Sequence, residues 1–183
     1  DCQGWSCAER GQVMATITAS YSGNTSITIG LASTPLASSA TFVAGRESSE
    51  IDNTTNKYMD ALVSGKVTVG TTPTANTTIA VYVWGADTSL GTTAIDVLDG
   101  TDSDETLTNT GILNALKLGA TISVPATTSN IGYPVLPFSV AALFGGVMPK
   151  FWGLYVSHNT GVALNSTGGN HFFEYVGIKY DSA

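Results

Sequence analysis

From Pro149 to Ala183, aromatic and β-branched runs alternate with small turn residues. Phe151–His158 and Phe172–Lys179 are separated by a stretch rich in Gly, Asn and Thr. Half-buried strands joined by tight turns need this pattern, and helices do not tolerate it. No nucleophile motif, ligand cluster or phosphate loop accompanies the runs. The stretch therefore points to a structural or binding role, and an enzyme is not expected.

The same alternation runs through the rest of the chain. In Gln12–Ser20, Val13, Ala15, Ile17 and Ala19 fall on one side and Thr16, Thr18 and Ser20 on the other. Ser22-Gly23-Asn24 predicts a turn, and Ser26–Leu31 repeats the pattern. Thr41–Val43 gives a short third strand. Lys57–Val69 gives a long one, with a helix over Lys57–Val63 as its competitor. Pro73 ends that run, and Thr77–Trp84 answers it as the second arm of a hairpin. Ala94–Leu98, Ala120–Val124 and Val162–Leu164 are further short strands, and Ile112–Leu118 reads as a helical turn. Pro125, Pro134 and Pro137 mark a long connection, and Ser139 is a plausible N-cap for one or two helical turns through Phe144. Eight or nine strands with little helix predict an all-β fold: a single antiparallel β-sandwich, jelly-roll-like or barrel-like, with short helical turns. No internal repeat supports a propeller or solenoid.

The 183 residues contain no linker-like break, so one domain is expected over residues 12–183, preceded by an arm at 1–11. Charged residues make up only 11%, against about 25% in an ordinary soluble protein. Thr, Ser, Gly and Asn fill the polar positions and can be covered without the desolvation cost of a full charge. The net charge of -7, with seven scattered Lys plus Arg, argues against nucleic acid and against an anionic membrane surface. No apolar run approaches the roughly 20 residues of a membrane-spanning helix. No signal peptide is expected in the sequence as given, and a start at Asp1 implies a processed or trimmed N-terminus.

Several groups of residues invite a chemical reading. Cys2 and Cys7 frame a loop holding Trp5. A small disulfide ring, a reversible thiol pair, intermolecular pairing and a frayed end all remain open, and the other ligands of a metal site are lacking. Asp96, Asp99, Asp102, Asp104 and Glu105 offer oxygen ligands for Ca²⁺ but miss the EF-hand spacing, so a solvated loop is expected. His158 and His171 flank the last turns without a third zinc ligand. Glu47, Glu50 and Asp52 contain a carboxylate pair of glycosidase type. Arg46 and Lys57 lie close in sequence, so neighbouring cations or an oligomer contact explain them more economically. No Gly-x-Ser-x-Gly elbow occurs. Sequons at Asn24, Asn53, Asn76 and Asn165 follow from composition. Trp5, Trp84 and Trp152, with seven Tyr, suit either a sugar groove or core and interface anchors. No cofactor is expected. Trp5, Arg46, Glu47, Glu50, Asp99, Asp102 and Asp104 form the candidate interface set.

Four segments carry a resemblance: Phe138-Ser-Val-Ala-Ala-Leu-Phe-Gly-Gly-Val-Met-Pro149, Trp152-Gly-Leu-Tyr-Val-Ser-His-Asn-Thr-Gly161, Leu164-Asn-Ser-Thr-Gly-Gly-Asn-His171 and Gly45-Arg-Glu-Ser-Ser-Glu-Ile-Asp-Asn-Thr54. Together they resemble a group of small tailed-bacteriophage virion proteins, over most of the chain after residue 40. The resemblance implies a β-rich decoration or cement protein on the outer capsid surface of the virion, with the major capsid protein as partner and self-association as a homotrimer. The Cys2–Cys7 arm is not a feature of that group. The alternative is a carbohydrate-binding or receptor-binding β-sandwich module of a phage tail or fibre.

Overall fold

The computed structural model describes residues 16–182. The elements in chain order are β1 (Ile17–Tyr21), β2 (Thr25–Ile27), β3 (Ala44–Glu47), β4 (Ile51–Asp52), β5 (Asp60–Thr68), β6 (Thr77–Ala86), β7 (Asp104–Thr106), α1 (Thr110–Ala115), β8 (Lys117–Val124), β9 (Gly132–Ser139), α2 (Val140–Leu143), β10 (Phe151–His158) and β11 (Phe172–Ser182). The arm at 1–11, with Cys2, Trp5 and Cys7, and the start of the predicted first strand at Gln12–Ala15 lie outside the described residues.

Two pairs of short strands are single strands broken by one surplus residue. Tyr21 faces Ile178 and Thr25 faces Tyr175, so three residues of β1–β2 oppose two of β11. Glu47 faces Tyr155 and Ile51 faces Trp152, which gives the same count for β3–β4 against β10. Both are β-bulges, which bend a strand without reversing it. The turn expected at Ser22-Gly23-Asn24 is therefore the first bulge, and the chain runs on in the same direction along β11.

With those breaks joined, one antiparallel sheet reads β1/β2-β11-β5-β9 and the other β3/β4-β10-β6-β8, with β7 added outside β3. Eight strands in this order make a double-sheet jelly roll. The predicted β-sandwich is thus the observed fold, and helix is confined to α1 and α2.

The order corrects the expected hairpin between Lys57–Val69 and Thr77–Trp84. β5 and β6 lie in different sheets, and the connection between them crosses from one to the other. Alternation fixes which side chains share a face but not which strand lies alongside. Residues 132–139, expected within a connection, form β9. It is a sheet edge, where Pro134 and Pro137 are tolerated because a missing N–H there breaks no ladder. Thr41–Val43 precedes its strand, because Phe42 takes a left-handed φ of 61° and β3 starts at Ala44. Ala94–Leu98 contributes one isolated bridge, Ile95 to Leu98, and Val162–Leu164 forms no strand. Ser139 does cap α2, its Oγ accepting from Ala142 N.

Two hydrophobic clusters flank β6 and β10. Between the sheets pack Val63, Val67, Ile79, Val81, Val83, Trp152, Leu154 and Phe173. On the outer face of β6 and β10 lies a second cluster of Trp84, Leu90, Leu98, Leu107, Leu113, Leu116 and Tyr155. Its leucines come from the excursion between β6 and β8, which folds back over the sheet. β10 is covered on both faces, which is why Phe151–Val156 contains no strongly polar residue.

Candidate functional site: the acidic loop around β3

β3 supplies two adjacent side chains of opposite charge, both buried. Arg46 lies opposite Val156 and Glu47 opposite Tyr155, so strand alternation sends them to opposite faces of the sheet. The loop at 99–104 wraps the margin of β3 and meets both.

On one face the Arg46 guanidinium donates through Nε to Asp102 Oδ1 at 2.7 Å and through Nη1 to Asp104 Oδ1 at 3.1 Å. Nη2 donates to the Asp102 carbonyl at 3.0 Å. Asp102 Oδ1 also accepts from Gly30 N at 2.9 Å, tying the loop to the segment after β2. A planar fork with several donors suits this arrangement, and a lysine does not.

On the other face the Glu47 carboxylate accepts from Asp99 N and Gly100 N, each at 3.0 Å. Burial raises its pKa, the two N–H donors hold it down, and the charges of Asp99 and Glu105 add repulsion. The balance stands at about 7. Beside it the Tyr155 ring covers Gly45, where a Cβ would sit 2.5 Å from Tyr155 Cζ. The Tyr155 hydroxyl donates to the Val43 carbonyl.

The remaining carboxylates are local staples. Asp96 accepts from Thr108 N and Oγ1, Asp99 from Thr101 N, and Glu105 from Ser103 Oγ. The loop is tied down by its own acids, while Asp96, Asp99 and Asp104 stay exposed to solvent. Glu50 accepts from Leu90 N at 2.7 Å and Asp52 from Thr54 N at 2.6 Å. Glu47, Glu50 and Asp52 therefore serve three separate backbone segments, while Lys57 is exposed in a left-handed turn with φ of 52°. Among the described residues no group of three His, Cys, Asp or Glu is placed to hold a metal ion.

The two histidines are held separately. His158 Nε2 lies 3.0 Å from the Leu36 carbonyl, and Nδ1 lies 2.9 Å from Thr160 Oγ1. His171 accepts from Thr68 N through Nδ1 at 3.2 Å and places Nε2 2.8 Å from the Asn165 carbonyl. Burial lowers both pKa values. Trp84 and Trp152 are core residues, so neither offers a ring to a sugar.

Three clefts open elsewhere. One of about 570 Å³ lies among the end loops, lined in part by Thr71, Asn130, Asn165 and Ser166. One of about 460 Å³ runs between β8 and β9. The third, about 380 Å³, lies beside Met59, Ala142 and Tyr180. None of the three is lined by Arg46, Glu47, Glu50, Asp99, Asp102 or Asp104.

The large side chains that are exposed were not singled out in the sequence. Ile17, Tyr21 and Tyr180 are 70%, 65% and 63% exposed, and pairing of β1 with β11 places them together on the outer face. Alternation puts Ile17 and Tyr21 on one side of the strand, but nothing in the sequence says that this side is the uncovered one.

Among the described residues no helix is long and apolar enough to cross a membrane. No protein-family model matches the chain, and neither a curated protein nor a solved structure matches it at a significant level.

Proposed function

We propose that the chain is a structural component of a bacteriophage virion, a decoration or cement protein that binds and stabilises the outer capsid surface. The carrying observation is a reversal of the usual use of side chains. The clustered acids and Arg46 are spent on internal bonds, while Ile17, Tyr21, Leu136, Val147 and Tyr180 stand exposed on charge-poor faces. Exposed apolar groups amid uncharged polar ones favour contact with another protein surface. The resemblance of the segments at 45–54 and 138–171 to phage head proteins points the same way, with the major capsid protein as the partner and a homotrimer as the assembly.

Mass spectrometry of purified particles tests this reading, together with co-sedimentation of the protein with capsids lacking it. The expected result is many copies per particle and saturable binding. Absence from particles and no binding to shells overturns it.

A second reading, a glycan-binding or receptor-binding module, is supported by the Asn- and Thr-lined cleft among the end loops. Against it, Asn165 Nδ2 already donates to Asn130 Oδ1 at 2.8 Å, and no aromatic ring lines that cleft. A glycan array separates the two.

A further inference from the structure

The margins of the two sheets are not alike. β9 carries Pro134 and Pro137 within eight residues. β7 is three residues long and contains Asp104 and Glu105. β8 begins at Lys117, shifts register near Gly119 and faces β9 across a cleft. Proline, charge, shortness and bulges are the devices that keep a sheet edge from pairing with another chain. β1 carries neither proline nor charge, and its bulge lies beyond its end, at 22–24. Its five residues, Ile17-Thr-Ala-Ser-Tyr21, pair with β11 in unbroken register. Among the described residues only β11 pairs with it.

We propose that β1 is the pairing edge for a second copy of this chain, in an antiparallel ladder whose two-fold axis passes through Ala19. The strand is self-complementary about that residue. Ala19 meets its own counterpart, and Ile17 meets the partner's Tyr21 twice, on the outer face that also carries Tyr180 opposite Ala19. A β-branched residue against an aromatic one is a favourable cross-strand pair. On the inner face Thr18 meets the partner's Ser20. No like charges are brought together, because the nearest ions, Lys179 and Asp181, already pair with each other at 3.4 Å. The result is one continuous sheet, β9-β5-β11-β1 followed by the same strands of the partner in reverse, with an isologous contact that closes on itself. This pairing is a two-fold dimer of the free protein, distinct from the three-fold assembly proposed on the capsid, and does not depend on capsid binding.

Cysteine trapping in the full chain tests it, with Cys2 and Cys7 replaced by Ser. In an antiparallel ladder, residues directly opposite each other have Cα atoms about 4.5–5.5 Å apart, within reach of a disulfide. Ala19→Cys should therefore form a covalent dimer under mild oxidation, at least tenfold more than Tyr21→Cys alone. Counterparts of residue 21 are four residues out of register, about 13 Å apart. The double variant Ile17→Cys with Tyr21→Cys should also be trapped. In the chain with its native cysteines, Ile17→Lys should shift sedimentation toward monomer without lowering Tm. Equal trapping at residues 19 and 21 overturns the register. No trapping at 19, or a dimer that survives Ile17→Lys, overturns the use of this edge.

Discussion

Arg46 and Glu47 are neighbours in the chain yet hold one loop from opposite faces of β3. Arg46 binds Asp102 and Asp104, while Glu47 takes the amides of Asp99 and Gly100. A strand margin clasped on both sides cannot lose the loop by a shift toward either face.

Removing one side of the clasp has a predictable cost. Arg46→Met deletes three donors and leaves Asp102 half-buried with only the Gly30 amide. A half-buried carboxylate stripped of its charged hydrogen-bond partner costs about 1–3 kcal/mol. Urea denaturation should show a loss of that size, and amide exchange should accelerate across 99–104. Arg46→Lys should recover less than half, because a point charge cannot reproduce the fork.

Glu47 gives a pH signature. Its folded pKa of about 7 lies above its ordinary value of 4.5. Its contribution is therefore fully present below pH 4.5 and is lost as pH rises through 7. Relative to Glu47→Gln, the wild type should lose on the order of 2–3 kcal/mol between pH 4.5 and 8. Urea midpoints of the two proteins at several pH values measure the difference, and a constant offset overturns the assignment.

His171 acts in the opposite sense. Burial is the main cause of its lowered pKa, with repulsion from Lys66 adding to it and the bond to the Asn165 carbonyl opposing it. A depressed histidine stabilises above its ordinary value of 6.5, and that stability is lost as pH falls through the folded value. The advantage of the wild type over His171→Gln should therefore shrink from pH 7 to pH 5, and thermal melts across that range check it.

Two glycines separate packing from backbone freedom. At Gly45 an added Cβ would lie 2.5 Å from Tyr155 Cζ and 2.6 Å from the Val156 carbonyl oxygen, and neither can move without disturbing β10. Gly45→Ala should cost about 2 kcal/mol or more, a fall in Tm of about 5 °C or more. Nothing lies within 4 Å at Gly23, so Gly23→Ala should leave Tm unchanged.

Strand identity was legible wherever burial was uniform. Phe151–His158 was bounded correctly because both of its faces are covered, and Ser139 because a cap is a local device. Partner choice was not legible. Lys57–Val69 and Thr77–Trp84 alternate like a hairpin but lie in opposite sheets, since in this jelly roll successive strands change sheets except where β6 runs through the excursion to β8. Of the site, the charged residues were found but their division was not. The parity of Arg46 and Glu47 already sends them to opposite faces. The second cluster also left a trace, in Leu90, Leu98, Leu107, Leu113 and Leu116 spread through an otherwise polar stretch. Their irregular spacing fits no helix or strand period, and only the folded excursion brings them together.

That excursion, between β6 and β8, packs its own leucines onto Trp84 and Tyr155 and leaves the inter-sheet packing of Ile79, Val81 and Val83 untouched. Architecture and outline are thereby inherited separately. Changes between residues 87 and 116 that keep those leucines and the partners of Arg46 and Glu47 at 99–104 can redraw what this side of the molecule presents to its surroundings, while the frame beneath is passed on unchanged. A lineage can change its skin here without relearning how to fold.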